Sequence, residues 1–120
     1  MSVMRREAGM VLGALALALL AGCANSLEEH RAEGPTDSFT TAKSVDEVSR
    51  CMLFSWQEYK WYGQPIQALI QPNQHGGNTV LMAQTQLFVD ILPSDGKTRV
   101  NYYSSGAIGK ELRPRVRSCI

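Results

Sequence analysis

The amino-acid sequence predicts an α+β domain, and three observations carry the prediction. Apolar residues recur at three- and four-residue steps over 45–59, four short runs between 65 and 103 alternate in hydrophobicity, and helical spacing returns over 108–120. The order implies an N-terminal helix, an antiparallel meander of three to four strands and a short C-terminal helix, with both helices on one face of the sheet.

The chain has 120 residues, a formal net charge of +1 and three cysteines. Its first 22 residues read as a processing segment. Arg5 and Arg6 form a positive n-region, and "MVLGALALALLAG" forms an apolar h-region, as in a secretory signal peptide. The run is too short for a membrane span, which needs roughly 20 apolar residues. Residues 23–43 follow with small and polar side chains, one Pro, one Gly and no apolar periodicity, which reads as a flexible tether. The folded domain is expected over 44–120.

The first helix has a start signal in "SVDE". Ser44 can accept a hydrogen bond from the amide of Glu47, and Glu47 can reach back, forming a capping box. Asp46 and Glu47 suit the positive end of the helix dipole. Val45, Val48, Met52, Trp56 and Tyr59 form one stripe with Cys51 on its flank, and the helix should stop near "YGQP", where Gly63 can turn left-handed and Pro65 blocks continuation. Beyond it, "PIQALIQ", "NTVLMA", "QLFVDIL" and "TRVNYY" read as strands. They are separated by "PNQHGGN", "QT" and "PSDGK", of which the first and last carry strong turn chemistry. Without a turn at "QT", the strands number three. In the tail, Ile108, Leu112, Val116 and Cys119 or Ile120 keep helical steps, and Pro114 is tolerable in a first turn, so a short helix is expected from about residue 110.

Leu20, Ala21, Gly22 and Cys23 resemble the lipobox of bacterial lipoproteins at all four positions. The resemblance implies cleavage before Cys23, lipidation of its thiol (palmitate among the acyl groups) and stable membrane anchoring, because two or three acyl chains hold where one does not. Ala24, in place of Asp, implies sorting to the outer membrane. With lipid on Cys23, Cys51 and Cys119 remain as an even pair in a disulfide-permissive compartment. A bridge closing that loop would stabilise by roughly 4 kcal/mol on the chain-entropy estimate. The competing readings are a zinc site, which would need four ligands at characteristic spacing, and a reactive thiol. His30 and His75 sit in tether and turn sequence, so no metal and no cofactor is expected.

Chemistry-bearing residues are sparse. His75-Gly76-Gly77 faintly resembles an oxyanion-hole motif, but no G-x-S-x-G elbow supplies a nucleophile, and positive-φ hairpin chemistry accounts for it. Asp90 is expected on the solvated face of its strand, paired with a neighbour such as Arg99. Lys110, Arg113, Arg115 and Arg117 against Glu111 make the last segment basic, which suits a solvated helix face or an anionic surface. Nucleic acid is not an expected partner outside the cytoplasm. In "FSWQEYKWYGQ", Trp56 and Tyr59 fit the buried stripe while Phe54, Trp61 and Tyr62 do not. Packing in the core or on the sheet is the leading reading of these aromatics, since a small core gains buried area from them; the other is that they form, with Arg113 and Arg117, the candidate interaction surface.

Lipobox, polar tether, first-helix cysteine, "VDILPSDGKTRVNYY" hairpin and terminal "VRSC" together resemble small proteobacterial lipoproteins of uncharacterised activity with an α-β-α layout. The expected function is that of a non-enzymatic accessory or interaction module, lipid-anchored on the periplasmic side of the outer membrane and engaging an envelope protein. The alternative is an inhibitor or immunity-type lipoprotein that blocks a periplasmic hydrolase with the open face of its sheet.

Overall fold

The computed structural model describes residues 27–83 and 85–120, of which 27–33 and Gly34–Ile120 belong to two separate units. In the first, residues 27–33 are helical (α1), and Arg31 pairs with Glu28 at 2.6 Å, one turn apart. The residues read as signal peptide and lipobox, Cys23 included, lie outside the described residues. Among those described, no helix is long and apolar enough to cross a membrane.

The second unit is α+β. In chain order it comprises β1 (Asp37–Thr41), α2 (Val45–Gln57), the two-residue strands β2 (Lys60–Trp61) and β3 (Gln64–Pro65), then β4 (Ala68–Pro72), β5 (Asn78–Met82), β6 (Phe88–Ser94), β7 (Lys97–Tyr103) and α3 (Gly106–Ser118). Five strands form one antiparallel sheet in the order β1-β7-β6-β5-β4, and β2 pairs with β3 as a separate hairpin.

Ser44 caps α2 as expected, accepting from the Glu47 amide at 3.1 Å, with Asp46 and Glu47 in the first turn. Val48, Met52 and Trp56 are fully buried along its stripe. The helix stops at Gln57, earlier than expected, because the chain turns there to bring Tyr59 inward and then reverses through β2 and β3. Tyr62 and Gly63 form the tip with φ of 50° and 75°, the paired left-handed conformation of a two-residue hairpin loop.

The "QT" connection does separate two strands, since β5 and β6 pair with each other in register Val80↔Val89. The fifth strand corrects the expected count. Asp37–Thr41, inside the stretch read as tether, pairs along β7 from Asp37↔Tyr102 to Thr41↔Thr98. Its "DSFTT" carries a single large apolar residue, Phe39, which packs against the core. The free edge of β7 and that one anchor hold a segment whose own pattern is too short to read. The folded unit therefore starts ahead of residue 44.

Helix α3 also departs from expectation. It begins at Gly106 rather than near 110 and carries Pro114 in its interior. Pro removes one ladder bond and crowds the preceding turn, a cost of about 3 kcal/mol. The burial of Leu112 and Val116 opposes this, each contributing about 1.5 to 3 kcal/mol, together with a bond from the Tyr102 hydroxyl to the Gly109 carbonyl at 2.8 Å.

One cluster unites Val48, Met52 and Trp56 of α2 with Ala68, Val80, Met82, Val89, Ile91, Val100 and Tyr102 of the sheet and Leu112 and Val116 of α3. Strand alternation sends Thr79, Phe88, Asp90 and Tyr103 to the other face. That face was expected to be open, yet all four residues are buried, with Phe88 stacked on Tyr103 at 4.4 Å between ring centroids. At the "PNQHGGN" turn, Gly77 has φ of 74°, and a Cβ there would run into the backbone carbonyl of Ile91, so the glycine serves close approach between β5 and β6.

Candidate functional site

The two cysteines after Cys23 come together. Cys51 on α2 and Cys119 at the end of α3 form a disulfide with 5.6 Å between their Cα atoms. Helical spacing places Cys51 beside the Val48–Met52 stripe, and the Leu112–Val116–Cys119 spacing puts Cys119 on the buried side of α3. The staple therefore joins two helices already packed against the same cluster. Among the described residues, no group of three or more His, Cys, Asp or Glu could hold a metal ion.

The basic tail divides between internal ties and surface. Arg113 makes two hydrogen bonds of 2.6 Å to the Asp37 carboxylate, the bidentate geometry of a strong ion pair, and so ties α3 to β1. This guanidinium holds the Asp37 carboxyl below its ordinary range. Arg115 donates to the Ser55 carbonyl at 2.6 Å and lies 5.4 Å from the centre of the Tyr59 ring. The Tyr59 hydroxyl donates to Glu111; burial first, and then the neighbouring carboxylate, push its pKa up to about 12. Arg117 and Lys110 are exposed.

Asp90 departs from expectation. It is only 3% exposed and accepts hydrogen bonds from the Thr79 hydroxyl at 2.7 Å and the Asn73 side-chain amide at 3.1 Å. In the register it faces Asn101, while Arg99 faces Leu92. A carboxylate can be buried when such donors replace its water, and here Asn73 links it to the turn that precedes β5. His75 sits exposed in that turn, its backbone amide bonded to the Asn73 side chain at 2.9 Å. Gly76 and Gly77 both have positive φ, the hairpin chemistry read from "HGG".

The aromatic candidates separate. Trp61 is half-buried against the core and meets Tyr62 edge-on, 4.8 Å between centroids. Tyr62 is 87% exposed at the β2–β3 tip and Phe54 is 59% exposed on α2. Phe54 does not stand alone. With Leu53, Ile70, Asn78 and the polar side chains of Asp46, Glu47, Ser49 and Arg50, it lines a groove of about 690 Å³ between α2 and β4. Leu69 and Ile70 of β4 are each 43% exposed.

No protein-family model, curated protein or solved structure matches this chain.

The apolar ground around Phe54 is thus completed by Ile70, which the sequence reading placed in an ordinary strand. "PIQALIQ" indicates a strand, but only the sheet order makes β4 the edge. One signal was available in the sequence: from Trp61 through Val89 there is no Asp, Glu, Lys or Arg, whereas exposed edges are commonly guarded by charge.

Proposed function

We propose that this protein is a lipoprotein of the outer membrane whose disulfide-closed α+β domain acts as a non-enzymatic interaction module on the periplasmic side. The observation that carries the reading is the Cys51–Cys119 bridge. It uses two of three cysteines and leaves Cys23 alone in its lipobox context. A bridge of this kind suits an oxidising compartment beyond the cytoplasm, which is where the signal-peptide pattern would deliver the chain. In this reading α2 and α3 lie on one face of the sheet and the groove between α2 and β4 is the contact surface. Phe54 and Ile70 supply apolar area there, and Asp46, Glu47 and Arg50 form a polar rim of the kind that surrounds interface cores.

Metabolic labelling with a palmitate analogue tests the anchor. The wild-type chain should be labelled and recovered with outer membranes, whereas Cys23→Ala should lose the label. Equal labelling of both would overturn the assignment.

A further inference from the structure

The chain enters the folded sheet beside the start of α3. The Thr36 amide donates to the Tyr102 carbonyl at 2.8 Å, and the Thr36 hydroxyl donates to the Ser104 carbonyl at 3.3 Å and accepts from the Ser104 amide at 3.1 Å. The next residue, Ser105, is the N-cap of α3 and lines a groove of about 530 Å³ that Trp61 also lines. Register brings the start of β6 to the same end, since Phe88 faces Tyr103. The entry point, the β2–β3 hairpin and residues 85–87 therefore share one end of the domain. The opposite end carries the start of α2, the "HGG" turn and the β6–β7 loop.

The entry end is poor in charge. Residues 61–67, 83–89 and 102–109 include no Asp, Glu, Lys or Arg, and the ionic residues flanking them in sequence balance in sign, Glu58 with Lys60 and Lys110 with Glu111. The groove sets Leu87 and Ile108 beside the neutral polar Thr85, Gln86 and Ser105, and none of its described lining side chains is charged. Tyr62 stands 87% exposed at the hairpin tip, edge-on to Trp61. Such a surface has little with which to attract a strongly charged partner. Aromatic rings with a polar handle, among neutral polar groups, suit the zone where lipid tails meet headgroups.

Resting on the lipoprotein reading, we propose that this end lies on the bilayer that holds the acyl chains of Cys23, with Trp61 and Tyr62 in its interfacial zone. The length of the connection supports this occupant. Cys23 precedes Thr36 by thirteen positions, and residues 27–33 are helical. At 1.5 Å per helical residue and up to 3.6 Å per extended one, the connection reaches about 30 Å, near the diameter of a small domain. Only a nearly extended connection would let the opposite end touch the bilayer. The α2–β4 groove, whose lining includes Asp46 and Asn78 toward that opposite end, stays open to the periplasm.

Tryptophan emission tests the contact, because the chain has two tryptophans and Trp56 is fully buried. The purified lipidated protein is placed in phosphatidylcholine vesicles with or without bromine on the upper part of the acyl chains. Wild type should lose Trp61's share of its emission in brominated lipid, and Trp61→Phe, left with Trp56, should lose almost none. Wild-type emission that bromine leaves unchanged, or an equal loss in both proteins, overturns the proposal. As a second readout, Tyr62→Cys and Lys97→Cys, the latter at the β6–β7 loop, are treated with a membrane-impermeant maleimide. In the vesicles Lys97→Cys should react, and Tyr62→Cys only once detergent is added; equal reaction before detergent overturns the contact. A Tyr62→Cys thiol that reacts in vesicles but is shielded in native envelopes means that a protein covers the tip, which overturns the bilayer contact and leaves the interaction-module reading in place. Absence of palmitate label from wild type is a different failure, that of the lipoprotein reading itself.

Discussion

At the scale of single residues, ionic and hydroxyl groups on α3 act as fasteners more than as an external charged face. Arg113 is committed to Asp37 and Arg115 to the Ser55 carbonyl, which leaves Lys110 and Arg117 as exposed cations of the helix. The Asp37–Arg113 pair has a pH signature. Arg113 depresses the Asp37 carboxyl in the folded state, so the unfolded chain binds a proton first as pH falls, near the ordinary Asp value of about 3.9. The stability that the pair supplies is therefore present in full above that value and is lost as pH drops through the lower folded value. Urea unfolding of wild type and Arg113→Met should differ by a constant amount between neutrality and about pH 5, the difference shrinking below about pH 4. A difference independent of pH down to strong acid would show that Arg113 acts by packing alone. None of this pairing was legible in the sequence, because Asp37 and Arg113 are brought together only by the pairing of β1 with β7 and the docking of α3.

At the scale of elements, local rules succeeded where a segment carried its own signals. Ser44 and Glu47 set the start of α2, and the "SDGK" loop closes β6 onto β7 with Asp95 and Gly96 at φ of 49° and 77°, the two-residue hairpin chemistry its composition predicts. They failed where a neighbour made the decision. Strand β1 exists because β7 had an unpaired edge, and α3 runs through Pro114 because Leu112 and Val116 on either side of it are buried. Pro114 itself is exposed. Pro114→Ala should restore an amide to bond the Lys110 carbonyl without disturbing packing. The expected gain is about 1 to 3 kcal/mol, less than the full interior-proline cost because the unfolded chain also gains freedom. Chemical denaturation measures it, and a loss of stability would mean that the helix depends on the proline's bend.

For the whole molecule, the Cys51–Cys119 bridge encloses a separation of 68 residues, spanning all of the structure from α2 to the C-terminal helix. A constraint of that length lowers the entropy of the unfolded chain by an amount worth about 4 kcal/mol on the loop-closure estimate, a large share of the 5 to 15 kcal/mol typical of a domain. Cys51→Ser with Cys119→Ser should lower unfolding free energy by about that amount, and reductant should do the same to wild type while changing the double variant little. Unchanged urea midpoints on reduction would show that packing of α2 on α3 suffices without the bond.

The sequence by itself determined the fold class, the first helix and its cap, three to four of the five sheet strands and the cysteines able to pair, because periodicity, turn chemistry and cysteine parity are local or countable properties. Tertiary structure decided which strand lies at the edge, that Asp90 is held by Thr79 and Asn73, that β1 joins the sheet, and that Phe54 and Ile70 share a groove. Each of these depends on which backbone edge or side chain comes to lie beside another far along the chain, and that juxtaposition is set by closing the sheet and packing the core, not by the character of any one segment.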